Sequence, residues 1–343
     1  MAIVTIIGAG MMGSALAFPA REKGNEVRLV GTPLDREIID TCCATERHPK
    51  FCVDFPAGVT YYQTEETERA ILGADVIIGG VSSFGVDWFS DFVLPRVPEN
   101  VPILTVTKGL LDTEDGRLLC YPEVWEERLR ALGRRTEMNA TGGPCTAYEL
   151  VAHDQTEVAF CGGNIGTLKK LKALLATDYY HISLSTDVRG IESAVALKNG
   201  YALGIALTIG QNHRIFGKES ELHFNSQAAI FGQATREMVK LLAYQGCDTL
   251  DNLVVGAGDL YVTVYGGRTR LLGILLGEGL TIDEAKEELK GVTLESVVVA
   301  ARHAAQKGVL HTEDFPLLLC VDSIITERQP VNIPRDDFTF VHE

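Results

Sequence analysis

The chain is poor in positive charge: 31 Lys and Arg stand against 46 Asp and Glu in 343 residues, a formal net charge of −15. That balance argues against nucleic acid or an anionic membrane as partner. It leaves room for an anionic substrate, because a few local cations at a site override a distant global field. Long apolar runs are also lacking, and the stretch 200–210 is too short to span a bilayer. The opening AIVTIIG enters a strand at once, with no basic region ahead of a long apolar one. A cytoplasmic protein without a membrane partner is expected. Metal-ligand spacings are missing too. The 8 histidines include no H-x-x-x-H or H-E-x-x-H, and the 8 cysteines include no C-x-x-C. No metal site is expected, and a chain of this length needs no disulfide staples.

What is present is the material of a globular protein, 46% hydrophobic and 22% charged residues, in a length that suits two domains. The first half alternates short β-rich runs with helical stretches. Strands are expected at 3–7, 26–30, 75–79, 102–106, 137–141, 157–161 and 181–185, with helices among them at 64–73, 118–131 and 165–177. Such alternation implies an α/β, mostly parallel, doubly wound sheet of the Rossmann-like type. After about Asp187 the strand signals vanish and helical periodicity takes over. TIDEAKEELK even carries Thr281 and Glu284 at capping-box spacing. The expected domains are therefore 1–188, a dinucleotide-binding unit, and 189–343, an all-helical substrate and catalytic unit, with no low-complexity linker and no internal repeat.

IIGAGMMGSALA places Gly8, Gly10 and Gly13 directly after a strand and at a helix start. In that context the first glycine allows a tight turn, the second admits a pyrophosphate to the backbone, and the third lets helix and strand pack. Pro19 lies inside the helix that follows and is expected to kink or break it. The end of the second strand leaves the cofactor open between NAD and NADP. The usual ribose-binding acid is missing from VGTPLDREII, where Thr32 takes its place and Asp35 and Arg36 follow. Asp35 favours NAD; Thr32 and Arg36 suit a 2′-phosphate.

The helix-length segment SAVALKNGYALGIALTIG, residues 193–210, has apolar residues on all sides and a single charge, the ammonium of Lys198. A buried unpaired charge costs several kcal/mol, roughly, so the lysine needs a partner or a task. Further along, VTVTKGLLD sets Lys108 after a strand, and TGGPCTAYELVA forms a glycine-rich strand-to-turn segment containing Gly143 and Ala147. GAGDLYVTVYGGRTRLLGILLGEG carries Asp259, Thr263, Arg268 and Thr269. An ammonium beside a ketone stabilises the negative charge that hydride addition develops on oxygen and can deliver the proton. Asp259 would hold that lysine by an ion pair, and Arg268 offers a planar fork for phosphate oxygens.

In their order and spacing, TKG, ALKN and GAGDL…T…GRTR make the chain resemble the NAD(P)-dependent glycerol-3-phosphate dehydrogenases, from the glycine fingerprint to about residue 330. The resemblance makes Lys198 the catalytic lysine, with Asp259 beside it. It gives substrate contacts to Lys108, Gly143, Asn199, Thr263, Arg268 and Thr269. It gives cofactor contacts to Gly8, Gly10, Met11, Met12, Gly13, Lys108, Ala147, Arg268 and Glu295. A small phosphorylated substrate follows as partner, with a homodimer left open. Against the family pattern, Gly267, Arg268 and Thr269 replace serine-arginine-asparagine, and Cys145 replaces the serine of glycine-proline-serine. Tyr148 is bulkier than expected, and residues 211–224 read as an insertion. These departures keep a related polyol phosphate or sugar-acid phosphate open as substrate, and a β-hydroxyacid dehydrogenase, which combines the same cofactor fold with a Lys-Asn pair, is a second reading. The third alternative is a nucleotide sensor without catalysis, for which Lys198 and Asp259 would be superfluous.

Overall fold

The computed structural model describes residues 1–219, 223–248, 250–266, 268–289 and 307–340. The chain folds as two compact units, one of Met1–Lys108 with Cys120–Glu192 and one of Gly109–Leu119 with Ser193–Glu343.

The first unit is built on eight strands. They are β1 (Ile3–Ile7), β2 (Glu26–Val30), β3 (Val59–Tyr62), β4 (Val76–Gly79), β5 (Ile103–Thr105), β8 (Met138–Gly142), β9 (Thr156–Gly162) and β10 (Tyr180–Ser185). Their order is β10-β9-β8-β5-β4-β1-β2-β3. Every pairing is parallel except β8 with β9. Strands β6 (Leu110–Asp112) and β7 (Leu118–Cys120) form a separate two-stranded sheet.

A parallel sheet is covered on both faces, and these strands show it. Along β1 and β4, Val4, Ile6, Val76 and Ile78 enter one apolar cluster, while Ile7 and Ile77 enter another on the opposite face. All six side chains are fully buried, each worth roughly 1.5–3 kcal/mol of transfer free energy. Helices α1 (Met11–Glu22), α2 (Arg36–Thr45), α3 (Thr67–Ile71), α4 (Val86–Trp88), α5 (Tyr121–Ala131), α6 (Ala147–Val151) and α7 (Ile165–Leu175) connect the strands.

The seven expected strands are present, with ends that agree to within one residue. Strand β3 is an addition. Its pattern, VTYY, is too short and too polar to stand out from the loop around it. The helix expected over 118–131 starts at Tyr121, because residues 118–120 pair as β7. Pro19 does not break α1, which runs on to Glu22. Only one backbone donor is lost there, and the proline is buried.

Apart from Gly109–Leu119, which carries β6 and most of β7, the second unit is helical among the described residues. Helix α8 (Val188–Ala196) leads into α9 (Lys198–Phe216), followed by α10 (Phe224–Tyr244), α11 (Leu250–Gly266), α12 (Arg268–Glu278), α13 (Ile282–Glu288) and α14 (Pro316–Thr326). The sequence suggests one continuous helix over 193–210. Instead the helix is interrupted at Leu197, whose φ of −86° and ψ of 0° cap the start of α9. Gly200 to Gly210 are buried on every side, because α10, α11, α12 and α14 all pack on α9. Thr281 caps α13 through the expected capping box with Glu284. Among the described residues, no helix is long and apolar enough to cross a membrane.

Candidate active site

The carboxyl edge of the parallel sheet collects the loops that follow β1, β4, β5 and β8, and β1 and β4 flank the point where the strand order reverses. Ligands bind at such a point in open α/β sheets. The Gly8 backbone has φ +116°, and a Cβ there would lie 2.6 Å from the carbonyl carbon of Gly80. A Cβ at Gly13 would lie 2.1 Å from the Gly8 carbonyl oxygen. Gly8, Gly13 and Gly80 therefore bring the first loop against the end of β4. Gly10 differs, since a Cβ built there meets no atom within 4 Å. It opens α1 without a side-chain cap, and the first turn holds no acid. An open backbone cradle at an uncapped helix start fits the diphosphate of a dinucleotide. Met11 and Met12, half-buried in that turn, stand beside it.

Two side chains from outside the loop hold it. Asp35 Oδ2 accepts the backbone N–H of Ala9 at 3.1 Å, and the Thr32 N–H and hydroxyl at 2.9 and 2.8 Å. His48 is buried, and its Nδ1 accepts the Lys50 N–H at 3.1 Å. That fixes the proton on Nε2, which donates to the Ala9 carbonyl at 3.2 Å. Burial keeps this ring below the usual histidine range, so it stays neutral. The glycine motif carries no sign of either contact. In the sequence Asp35 bears only on the ribose, and His48 lies 39 residues from its partner.

Along the same edge, Lys108 follows β5, with Nζ 3.5 Å from the Gly143 carbonyl. Gly143 follows β8 and has φ +122°, where a Cβ would lie 3.1 Å from Val158 Cα. Ala147 opens α6 and is buried, whereas Cys145 is half-buried. Tyr148 stays largely exposed, edge-on to Phe51 at 6.2 Å between ring centres.

In the helical unit Lys198 is the first residue of α9, and its Nζ lies 2.6 Å from Asp259 Oδ1. The Asp259 side chain is fully buried and that of Lys198 is 17% exposed. Close packing explains how they meet. A Cβ on Gly256 would lie 2.7 Å from the Ala194 carbonyl, so α11 presses on α8 one turn before each charge. Thr263, also on α11, donates its hydroxyl to the Asp259 carbonyl at 2.7 Å and keeps its lone pairs. Asn199 is half-buried beside Lys198. Arg268 and Thr269 open α12. The side chain of Arg268, together with Gly267 and Glu295, lies outside the described residues, as do residues 220–222 of the expected insertion. Among the described residues no cluster of His, Cys, Asp and Glu could hold a metal ion.

The open glycine cradle at the start of α1 fits a dinucleotide, and the relatives of the chain make it an NAD(P)-dependent oxidoreductase acting on a CH–OH group. Comparison with known proteins makes this specific. Residues 3–165 match the N-terminal and residues 187–334 the C-terminal family of NAD-dependent glycerol-3-phosphate dehydrogenase. The chain belongs to this NAD(P)-dependent family. An NADP(+)-dependent glycerol-3-phosphate dehydrogenase of Archaeoglobus fulgidus is 37% identical over 84% of this chain and 84% of its own. A glycerol-3-phosphate dehydrogenase [NAD(P)+] of Desulfotalea psychrophila is 28% identical over 83% of this chain and 82% of its own. The crystal structure of glycerol-3-phosphate dehydrogenase from Coxiella burnetii shares the fold with a TM-score of 0.81, at 24% identity, over 98% of this chain and 97% of that one.

Proposed function

We propose that the protein interconverts sn-glycerol 3-phosphate and dihydroxyacetone phosphate, with Lys198 as the general acid and base. The observation that carries this reading is the Lys198–Asp259 contact of 2.6 Å. It fixes one ammonium at the start of a helix that carries no other charge from Asn199 to Gly210.

The glycine cradle at Gly8, Gly10 and Gly13, with Met11, Met12 and Ala147, is assigned to the dinucleotide, which when bound supplies or accepts the hydride. As the hydride reaches the ketone carbon, Lys198 Nζ stabilises the charge growing on the oxygen and gives it a proton, leaving an alcohol. In the other direction the amine takes that proton back. Asp259 aims Nζ and balances its charge. Asn199 and Thr263 offer neutral hydrogen bonds to the substrate hydroxyls. Arg268 and Lys108 are assigned to phosphate oxygens, with Gly143 and Thr269 beside the substrate and Glu295 with the dinucleotide. Threonine at 269 cannot supply the two donors of an asparagine amide, so that contact passes to the hydroxyl or to water.

The same reading includes a homodimer. The exposed row Leu250, Val254, Tyr261 and Tyr265 along one face of α11 supports it. Light scattering of the wild type and of Tyr265→Glu tests that part.

The catalytic test is the decay of nicotinamide absorbance with dihydroxyacetone phosphate, using NADH and NADPH in turn. Decay with wild type and its loss in Lys198→Met, with cofactor binding kept, is the expected result. Undiminished decay in that variant removes Lys198 from the chemistry. Decay only with a non-phosphorylated hydroxyacid pair would replace the substrate.

A further inference from the structure

The turn after β2 faces a choice that the fold imposes. An acid there takes the ribose 2′-hydroxyl of NAD, whereas a cation takes the 2′-phosphate of NADP. In this chain the turn reads Gly31, Thr32, Pro33, Leu34, Asp35, and Asp35 is its one acid. That carboxylate is turned inward, 9% exposed. Its Oδ2 accepts the N–H groups of Ala9 and Thr32 and the Thr32 hydroxyl, at 3.1, 2.9 and 2.8 Å. Swinging out to a ribose would strand two backbone donors, which costs more than one hydrogen bond to a sugar returns. Thr32 is committed as well, for its hydroxyl also accepts the Leu34 N–H at 3.2 Å.

The next residue is Arg36, the first of α2. Its guanidinium is more than half exposed and pairs with Glu65, which is equally exposed. Such surface pairs contribute little and yield to a stronger anion. A phosphomonoester carries close to two negative charges and offers three acceptor oxygens, which the planar fork of arginine matches.

We propose that this turn selects NADP(H) over NAD(H), with Arg36 as the cation for the 2′-phosphate and Asp35 as a positioning residue that locks the glycine loop. This rests on the reading above that a dinucleotide lies on that loop. It assigns the selectivity to one exposed arginine and explains why the one acid of the turn does not oppose it.

The test measures binding, not turnover. NADPH and NADH are titrated by nicotinamide fluorescence, and adenosine 2′,5′-bisphosphate and AMP by calorimetry. In the wild type NADPH is expected to bind roughly ten-fold or more tightly than NADH, and the bisphosphate more tightly than AMP. Arg36→Ala should cost NADPH and the bisphosphate about ten-fold while moving NADH less than about two-fold. Asp35→Asn should weaken both dinucleotides by the same factor. Equal binding of NADH and NADPH by the wild type, or an unchanged ratio in Arg36→Ala, overturns the proposal. A loss confined to NADH in Asp35→Asn also overturns it, since the acid would then be reading the ribose. Failure of both dinucleotides to bind overturns the underlying cofactor reading instead.

Discussion

Lys198 Nζ and Asp259 Oδ1 stand 2.6 Å apart, and the carboxylate is wholly cut off from water. Removing one member of a buried pair leaves an uncompensated charge, at a cost on the order of 3 kcal/mol. Lys198→Met should therefore lose stability as well as turnover. The double variant Lys198→Met, Asp259→Asn should regain most of the stability, because no charge is left buried. Its turnover should stay down by roughly 10²–10⁴-fold, the usual worth of general acid–base catalysis. Urea midpoints and steady-state rates on the three proteins separate the two roles. Recovery of rate in the double variant would place the chemistry elsewhere.

The glycine loop makes a second, opposed pair of expectations. Gly10→Ala adds a methyl group where no atom lies within 4 Å, at a backbone φ of −65° that alanine adopts freely. Its stability should change by no more than about 0.5 kcal/mol, while dinucleotide binding is lost because the methyl occupies the diphosphate's approach. Gly13→Ala puts its methyl 2.1 Å from the Gly8 carbonyl oxygen, and should cost roughly 1–3 kcal/mol through overpacking. Thermal unfolding with and without cofactor distinguishes them. A Gly10→Ala protein that binds as the wild type does would move the cofactor off this loop.

Glu237 gives the helical unit a dependence on pH. It lies fully buried on α10, and its two carboxylate oxygens accept the N–H groups of Leu317 and Leu318 at 2.7 and 3.1 Å, at the start of α14. Burial pushes this carboxyl up to about 7, against the hydrogen bonds from Gln233 and from those two N–H groups. A raised carboxyl binds its proton more tightly in the folded chain than in the unfolded one. Stability from this group is then full below the ordinary glutamate range and is lost as pH rises towards 7. Between pH 5 and 8 the loss should be on the order of 3 kcal/mol. Glu237→Gln cannot titrate and keeps one oxygen acceptor for the α14 start, so its urea midpoint should lose that part of the pH slope. An unchanged slope in the variant would show that the carboxyl titrates in its normal range.

The sequence pattern exposes some of this architecture and hides the rest for physical reasons. Strands β1 and β4 are legible because strands buried on both faces read as short β-branched runs, and Gly8 and Gly13 because close backbone approach demands glycine. The break at Leu197 is not legible. Nothing in ALKN departs from helical preference, and only tertiary packing decides that Lys198 begins a helix instead of sitting inside one. Asp35 is visible as a charge, yet its direction depends on which backbone donors lie within reach. Glu237 and His48 leave no motif at all, since the contacts that tie them across the chain, to the Leu317 and Leu318 N–H groups and the Ala9 carbonyl, are with main-chain groups far along the sequence, and such groups carry no residue signature.

The crossing of α9 and α12 offers the sharpest stability prediction. A Cβ at Gly210 would lie 2.1 Å from the Ile274 carbonyl oxygen, and one at Gly277 would lie 2.2 Å from the Leu207 carbonyl oxygen. The two backbones thus touch through glycines, which accounts for a helix as apolar as α9 being sealed on that side. Glycine normally costs a helix about 1 kcal/mol relative to alanine, so on propensity alone Gly210→Ala should stabilise. Contact with carbonyl oxygen, which cannot turn aside as a side chain can, reverses the sign. The variant should lose roughly 1–3 kcal/mol as the helices are pushed apart. Gly232→Ala on α10, where a Cβ meets nothing within 4 Å, serves as the control and should gain stability. Urea unfolding of both decides it, since a stabilised Gly210→Ala would mean that the two helices do not cross this closely.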